Sequence, residues 1–183
     1  MQSPTPWLPE QSDSTVVPAV SIRADIDAGL SAELAAVVSG ARRRAHRDGD
    51  RQIDTAHLLH SLLESDSKVR AAFDGGPQVA RVLGYLVQRS IGYGLRWQGT
   101  VEESGPVPVV STPEVPGWSP SAVSVMEGTV ERARRRGEPR AGGLDLLDAL
   151  ASDRDCRAVN VLERAGVDAR ALTGRIADAA HGM

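Results

Sequence analysis

The sequence predicts an all-α fold of about eight helices. They fall into two alike halves related by a pseudo-twofold axis, with a Pro-rich linker between them. Three observations carry this. From Leu30 onward apolar residues recur at helical spacing. The stretch "DTAHLLHSLL" at 54–63 returns in altered form as "GGLDLLDALA" at 142–151. An offset of 88 residues carries Ser31 onto Ser119, Val37 onto Val125, Gly40 onto Gly128 and Arg44 onto Arg132. The same offset carries Leu58, Leu59 and Leu62 onto Leu146, Leu147 and Leu150, with no gap. The cause is burial. Leucines at i, i+1 and i+4 make an apolar stripe that one short helix cannot hide, so the stripe demands a neighbour. Each leucine fully removed from water then contributes roughly 1.5–3 kcal/mol.

Residues 1–20 hold four prolines among small polar residues and read as a flexible arm. "VSIRADID" at 20–27 alternates apolar and polar and suggests a short extended segment. Leu34, Val37, Val38 and Ala41 give the first helix, capped by Ser31 and stopped by "RDGD" at 47–50. The second starts at Asp54 or Thr55, either of which can cap it, and runs through Leu63. A third lies near 67–73, and "QVARVLGYLVQRSI" at 78–91 makes a fourth. Prolines 106, 108, 113 and 116 exclude a helix over 99–117, which reads as the linker, with one extended piece at "VPVV".

The second half opens with Ser119 as N-cap and Pro120 at the first helical position, a favoured start. Val123, Met126 and Val130 continue it to "RRRGEPRAGG". Helices follow at "LDLLDALA", "CRAVNVLERAG" and "DARALTGRIADAA", the middle one stopped by Gly166. The organisation is therefore an arm (1–20), a first repeat (21–98), a linker (99–117) and a second repeat (118–183), the repeats sharing one core.

Bulk composition narrows the function classes. The chain has 183 residues, 41 % hydrophobic, 25 % charged and only 3 % aromatic. Its core must be built from Leu, Val, Ala and Ile. A net charge of −3 exerts no global pull on nucleic acid or anionic membrane. One cysteine, Cys156, excludes an internal disulfide and a cysteine-built metal centre. No stretch approaches the roughly 18 apolar residues of a membrane span, and the N-terminus has no leader pattern, so a cytoplasmic protein is expected. The only lysine, Lys68, lies outside any Gly-Lys-Ser/Thr loop, so nucleotide hydrolysis through a P-loop is not expected. No cofactor and no enzymatic activity are expected.

The pattern of hydroxyl-capped helix, glycine turn and "TAHLLHSLL" at 55–63 resembles the N-terminal repeat domain of Clp ATPases of the ClpA/ClpC type. "GLDLLDALA" at 143–151 is a more degenerate second copy, and "AVNVLERAGVDARAL" at 158–172 resembles the end of a repeat. The resemblance covers about residues 30–180. It implies eight helices in two four-helix Clp-N repeats, and a role in recruiting substrates, tags or adaptors to an unfoldase. The ATPase modules that follow in the family have no counterpart in these 183 residues, so a stand-alone binding domain is expected. Its implied partners are a Clp ATPase, that enzyme's protein or peptide substrates, or ClpC-directed cyclic peptides. As a free domain it would act as an adaptor, a regulator or a peptide-sequestering decoy.

The resemblance also implies where partners bind. Family repeats begin Phe-Thr and carry a later Thr-Glu-His, the hydroxyl and glutamate together holding phosphorylated arginine. Here the corresponding residues are Leu30 with Ser31, and Trp118 with Ser119. Ala56 and Leu144 stand in place of the two glutamates, which removes a charge-assisted contact to a guanidinium. These six are the candidate peptide- or partner-binding residues, with Trp118 as one wall of an apolar groove or as a staple over the helix start.

Arg42, Arg43 and Arg44, and Arg132, Arg134, Arg135 and Arg136, form basic clusters at corresponding helix ends. Cations suit the C-terminal end of a helix dipole. As a patch they would favour an acidic partner, and a nucleic-acid-binding regulator is the alternative function. Aromatic residues for base stacking are not interleaved there. His57, His60 and Glu64 share a helical face, but with no fourth ligand evident no metal is expected. Cys156 reads as a buried small residue, with no histidine nearby in sequence to activate it.

Overall fold

The computed structural model describes residues 19–91, 101–102 and 117–181. Among them are nine helices and no strand: α1 Ala19–Ala28, α2 Ala32–Asp48, α3 Thr55–Ser65, α4 Ser67–Ala71, α5 Gly76–Ser90, α6 Pro120–Arg135, α7 Gly143–Ser152, α8 Arg157–Arg164 and α9 Ala169–His181. The arm expected over 1–20 lies almost wholly outside the described residues, as does the "VPVV" piece. Of the stretch 99–117 only Val101, Glu102 and Gly117 fall inside.

One expectation is overturned. The segment 20–27 is not extended but forms most of α1. Ile22 and Ile26 stand four apart, which puts both on one helical face, and both are buried. Helix α1 packs on α6. The alternation of Val20 and Ile22 suggested a strand, but the pairing of Ile22 with Ile26 decides the structure. This adds one helix to the expected eight.

The leucine-paired helices occupy the centre. Every residue of α3 from Thr55 to Leu63 is buried, and α3 packs against α2, α4, α5, α6, α7 and α8. Helix α7 packs against α3, α4, α6, α8 and α9, with Leu146, Leu147 and Leu150 fully inaccessible. Their stripes meet in one contiguous apolar core spanning Ile22 to Ile176.

Local chemistry sets the helix ends. Ser31 Oγ accepts from the Leu34 amide (3.2 Å) at the start of α2. Gly49, at φ 76°, ends it in the left-handed conformation that glycine adopts at least cost. Two parallel bridges then tie the halves together, Leu30 with Ala141 and Ile53 with Trp118. Their hydrogen bonds are short and regular: Ser31 N to Ala141 O 2.9 Å, Ala141 N to Gly29 O 2.8 Å, Ile53 N to Gly117 O 2.9 Å and Ser119 N to Ile53 O 2.8 Å.

Candidate functional site

The bridge between Ile53 and Trp118 sets the starts of α3 and α6 side by side, and α8 begins beside α3. Each start has its own local cap. Asp54 Oδ1 accepts from the His57 amide (2.9 Å), Ser119 Oγ from the Ala122 amide (3.1 Å) and Cys156 Sγ from the Val159 amide (3.5 Å). Helix starts carry more amide donors than one cap can satisfy, together with a partial positive charge.

Glu102 takes up the remainder. One carboxylate oxygen, Oε1, accepts from the Arg157 amide (2.6 Å) and from the Thr55 hydroxyl. The other, Oε2, accepts from the Thr55 amide (2.9 Å) and the Ser119 hydroxyl (3.0 Å). Thr55 Oγ1 in turn accepts from the Ala158 amide (3.0 Å). Glu102 is only 4 % exposed. Burial, and then the nearby charge of Asp54, push its carboxyl above the usual range, while the donors from Thr55 and Arg157 pull against that rise.

Asp54 forms the next layer. Its Oδ2 accepts from Arg89 Nη2 on α5 and from Arg157 Nη1 on α8 (2.8 Å). Its backbone amide donates to His57 Nδ1 (3.1 Å), closing a capping box. Burial is the largest single influence on this carboxyl and opposes its charge. The hydrogen bonds and charge of His57 and the charge of Arg89 outweigh it and hold the group well below the usual carboxylate range. Asp50, Asp54 and His57 offer three close donor atoms among the described residues, but two guanidinium groups on Asp54 compete with any cation there.

The residues singled out in the sequence take up distinct places. Leu30, Trp118, Ser119 and Ala56 are buried, Ser31 is half-buried as a cap, and Leu144 packs half-buried against the core. Only Ser119 of these six reaches the Glu102 carboxylate. The 88-residue offset carries Thr55 onto Gly143, which brings no hydroxyl. A Cβ on Gly143 would stand 2.2 Å from Asp66 Oδ2, so the acidic side chain packs directly on that backbone.

The arginine clusters are largely met by acids: Arg44 by Glu64, Arg132 by Asp148 (2.6 Å), Arg135 by Glu131 (3.1 Å) and Arg136 by Asp145. Arg42, Arg43 and Arg134 are exposed. His60 Nε2 lies 3.4 Å from Glu64, and burial, then the charge of Arg44, lower its pKa to about 4. Cys156 Sγ lies 3.5 Å from Leu150 O, and burial pushes its thiol up to about 12, where it is no nucleophile near neutral pH.

Glu102 is the residue that sequence reasoning missed. It stands in a stretch read as linker, and no local pattern marks a glutamate whose partners lie 47 and 55 positions away.

No protein-family model matches the chain, and no curated protein matches it. Solved structures do. A chain from structural investigations of a malarial protein secretion system is 14 % identical with a TM-score of 0.59, and the match covers 82 % of this chain and 93 % of that one. The N-terminal domain of the caseinolytic protease-associated chaperone ClpD from Arabidopsis thaliana is 18 % identical with a TM-score of 0.57, covering 84 % and 95 %. The fold is therefore that of Clp N-terminal domains.

Proposed function

We propose that the chain is a non-enzymatic protein- or peptide-binding module serving a Clp unfoldase of the ClpC type, as an adaptor, a regulator or a decoy that sequesters ClpC-directed peptides. The observation that carries this reading is the likeness to the ClpD N-terminal domain over 84 % of this chain and 95 % of that one.

The reading divides the body into a first repeat over 21–98 and a second over 118–183, joined by 99–117 into one compact domain. Two details support a pseudo-twofold. The 88-residue offset turns the bridge between Leu30 and Ala141 into the bridge between Trp118 and Ile53, so each maps onto the other. It also carries the turn bond from Asp50 N to Ala45 O onto that from Glu138 N to Ala133 O, both 2.9 Å. The pairing of most clustered arginines with acids weighs against the nucleic-acid alternative, because paired guanidiniums release fewer phosphate counterions.

The test is capture with purified components. Immobilised chain should retain a ClpC-type ATPase, an unfolded client protein or a ClpC-directed cyclic peptide. Failure to retain any of the three would remove the reading.

A further inference from the structure

Glu102 is held in the manner of a ligand. Its two oxygens each receive two donors, one amide and one hydroxyl apiece. The donors come from the starts of α3, α6 and α8, and so from both halves of the chain. The local caps at Asp54, Ser119 and Cys156 each take one amide and leave the Thr55 and Arg157 amides for a carboxylate from elsewhere. A capping carboxylate normally comes from within a few residues of its helix. This one comes from 47 positions beyond Thr55 and 55 before Arg157. Val101 beside it is 57 % exposed, so the glutamate enters the body while its neighbour stays outside.

We infer that the starts of α3, α6 and α8 form a carboxylate-binding site, that Glu102 is its internal occupant, and that a carboxylate of a bound peptide takes the same donors by displacing it. The identity of the external ligand rests on the peptide-binding reading above; the site itself does not. Two hydroxyls and two amides set in pairs on two oxygens suit a planar, singly charged carboxylate. The occupant is replaceable because Glu102 belongs to none of the three helices and its neighbour Val101 is exposed. The contact with Glu102 is thus autoinhibitory.

The experiment is rescue of a deleted carboxylate. Glu102→Ala leaves the donors empty, whereas Glu102→Gln fills the same space with a neutral amide. Formate is titrated into both and into the parent, against sodium chloride at equal ionic strength. The expected result is a saturable rise in the thermal midpoint of E102A alone, with matching shifts of the Thr55 and Arg157 amide resonances. Should E102A be unfolded in plain buffer, recovery of helical circular dichroism on adding formate is the same readout. A response to formate no greater than to chloride overturns the site, as does an equal response in E102Q.

A short peptide amide carrying one glutamate, its glutamine twin and that twin with a free C-terminal carboxylate then probe displacement. Binding to E102A about tenfold tighter than to the parent is expected for a carboxylate-bearing peptide and not for the neutral twin. The preferred one identifies side chain or terminus as the source. Equal binding to parent and E102A, or indifference to the carboxylate, overturns the competition. Formate needs no partner, so its failure leaves the Clp reading standing, and failed capture of Clp components leaves the site standing.

Discussion

Asp54 keeps its charge in the interior because three partners from three helices converge on it: His57 on α3, Arg89 on α5 and Arg157 on α8. Removing the charge takes a buried carboxylate away from two guanidiniums, of which Arg89 still has Asp50 at 3.3 Å, and breaking a buried pair costs about 3–5 kcal/mol. Asp54→Asn should lower the urea-derived stability by that order at neutral pH. The pH dependence follows from the signs. The folded-state pKa of Asp54 lies below its ordinary 3.8, so its contribution is present above that value and drains as pH falls below it. His60 acts in an earlier window. Its folded pKa of about 4 lies below the ordinary 6.5, so burial favours the neutral ring, and its contribution is complete above 6.5 and is lost as pH falls towards 4. Urea unfolding at pH 7, 5.5 and 4 should show the parent losing stability across that window and His60→Gln losing less. Glu102 runs the other way. Its raised pKa favours folding in acid, and that contribution fades as pH rises through the folded value, so Glu102→Gln should steepen the acid-side decline.

At the scale of elements, matched positions in the two halves have different surroundings. Gly40 of α2 lies against α3, where an added Cβ would stand 2.3 Å from Ser61 Oγ, itself donating to Val37 O at 2.7 Å. Gly128, its counterpart in α6, would meet only the end of the Arg132 side chain at 3.1 Å. Gly40→Ala should therefore cost about 1–3 kcal/mol by overpacking. Gly128→Ala should be neutral or stabilising by up to about 1 kcal/mol, through helix propensity. Chemical denaturation of the pair separates the two, and equal effects would contradict the close approach of α2 to α3. The helices with a wide apolar stripe and a cap in sequence, α2, α3 and α6 among them, were legible because period and punctuation agree. Helix α1 was not, since Val20, Ile22 and Ile26 satisfy both a strand and a helix period over so short a span. The caps at Ser31 and Ser119 could be read, because their partners lie three residues away. Glu102 could not, because its partners come together only when α3, α6 and α8 have packed.

At the scale of the molecule, the halves share one interior rather than two. Leu58, Leu59, Leu62 and Leu63 of α3 and Leu146, Leu147 and Leu150 of α7 belong to a single apolar cluster. Polar ties run the same way: Arg157 reaches Asp54, Glu102 joins Thr55 to Arg157 and Ser119, and both bridges cross between halves. A body so joined cannot release one half while keeping the other, because unfolding either exposes the leucines of both. The described body should therefore unfold in one cooperative step. Leu59→Ala and Leu147→Ala, one in each half, should each cost about 2–5 kcal/mol. Each should move a single midpoint common to all helices rather than split the transition. Amide exchange is the decisive measurement. In the Leu147→Ala variant the slowest-exchanging amides of α3 should lose protection by the same free energy as those of α7. Retained protection in α3 while α7 opens would show two independent cores. In that case the donors around Glu102, drawn from α3, α6 and α8, would have no fixed geometry with which to hold a carboxylate.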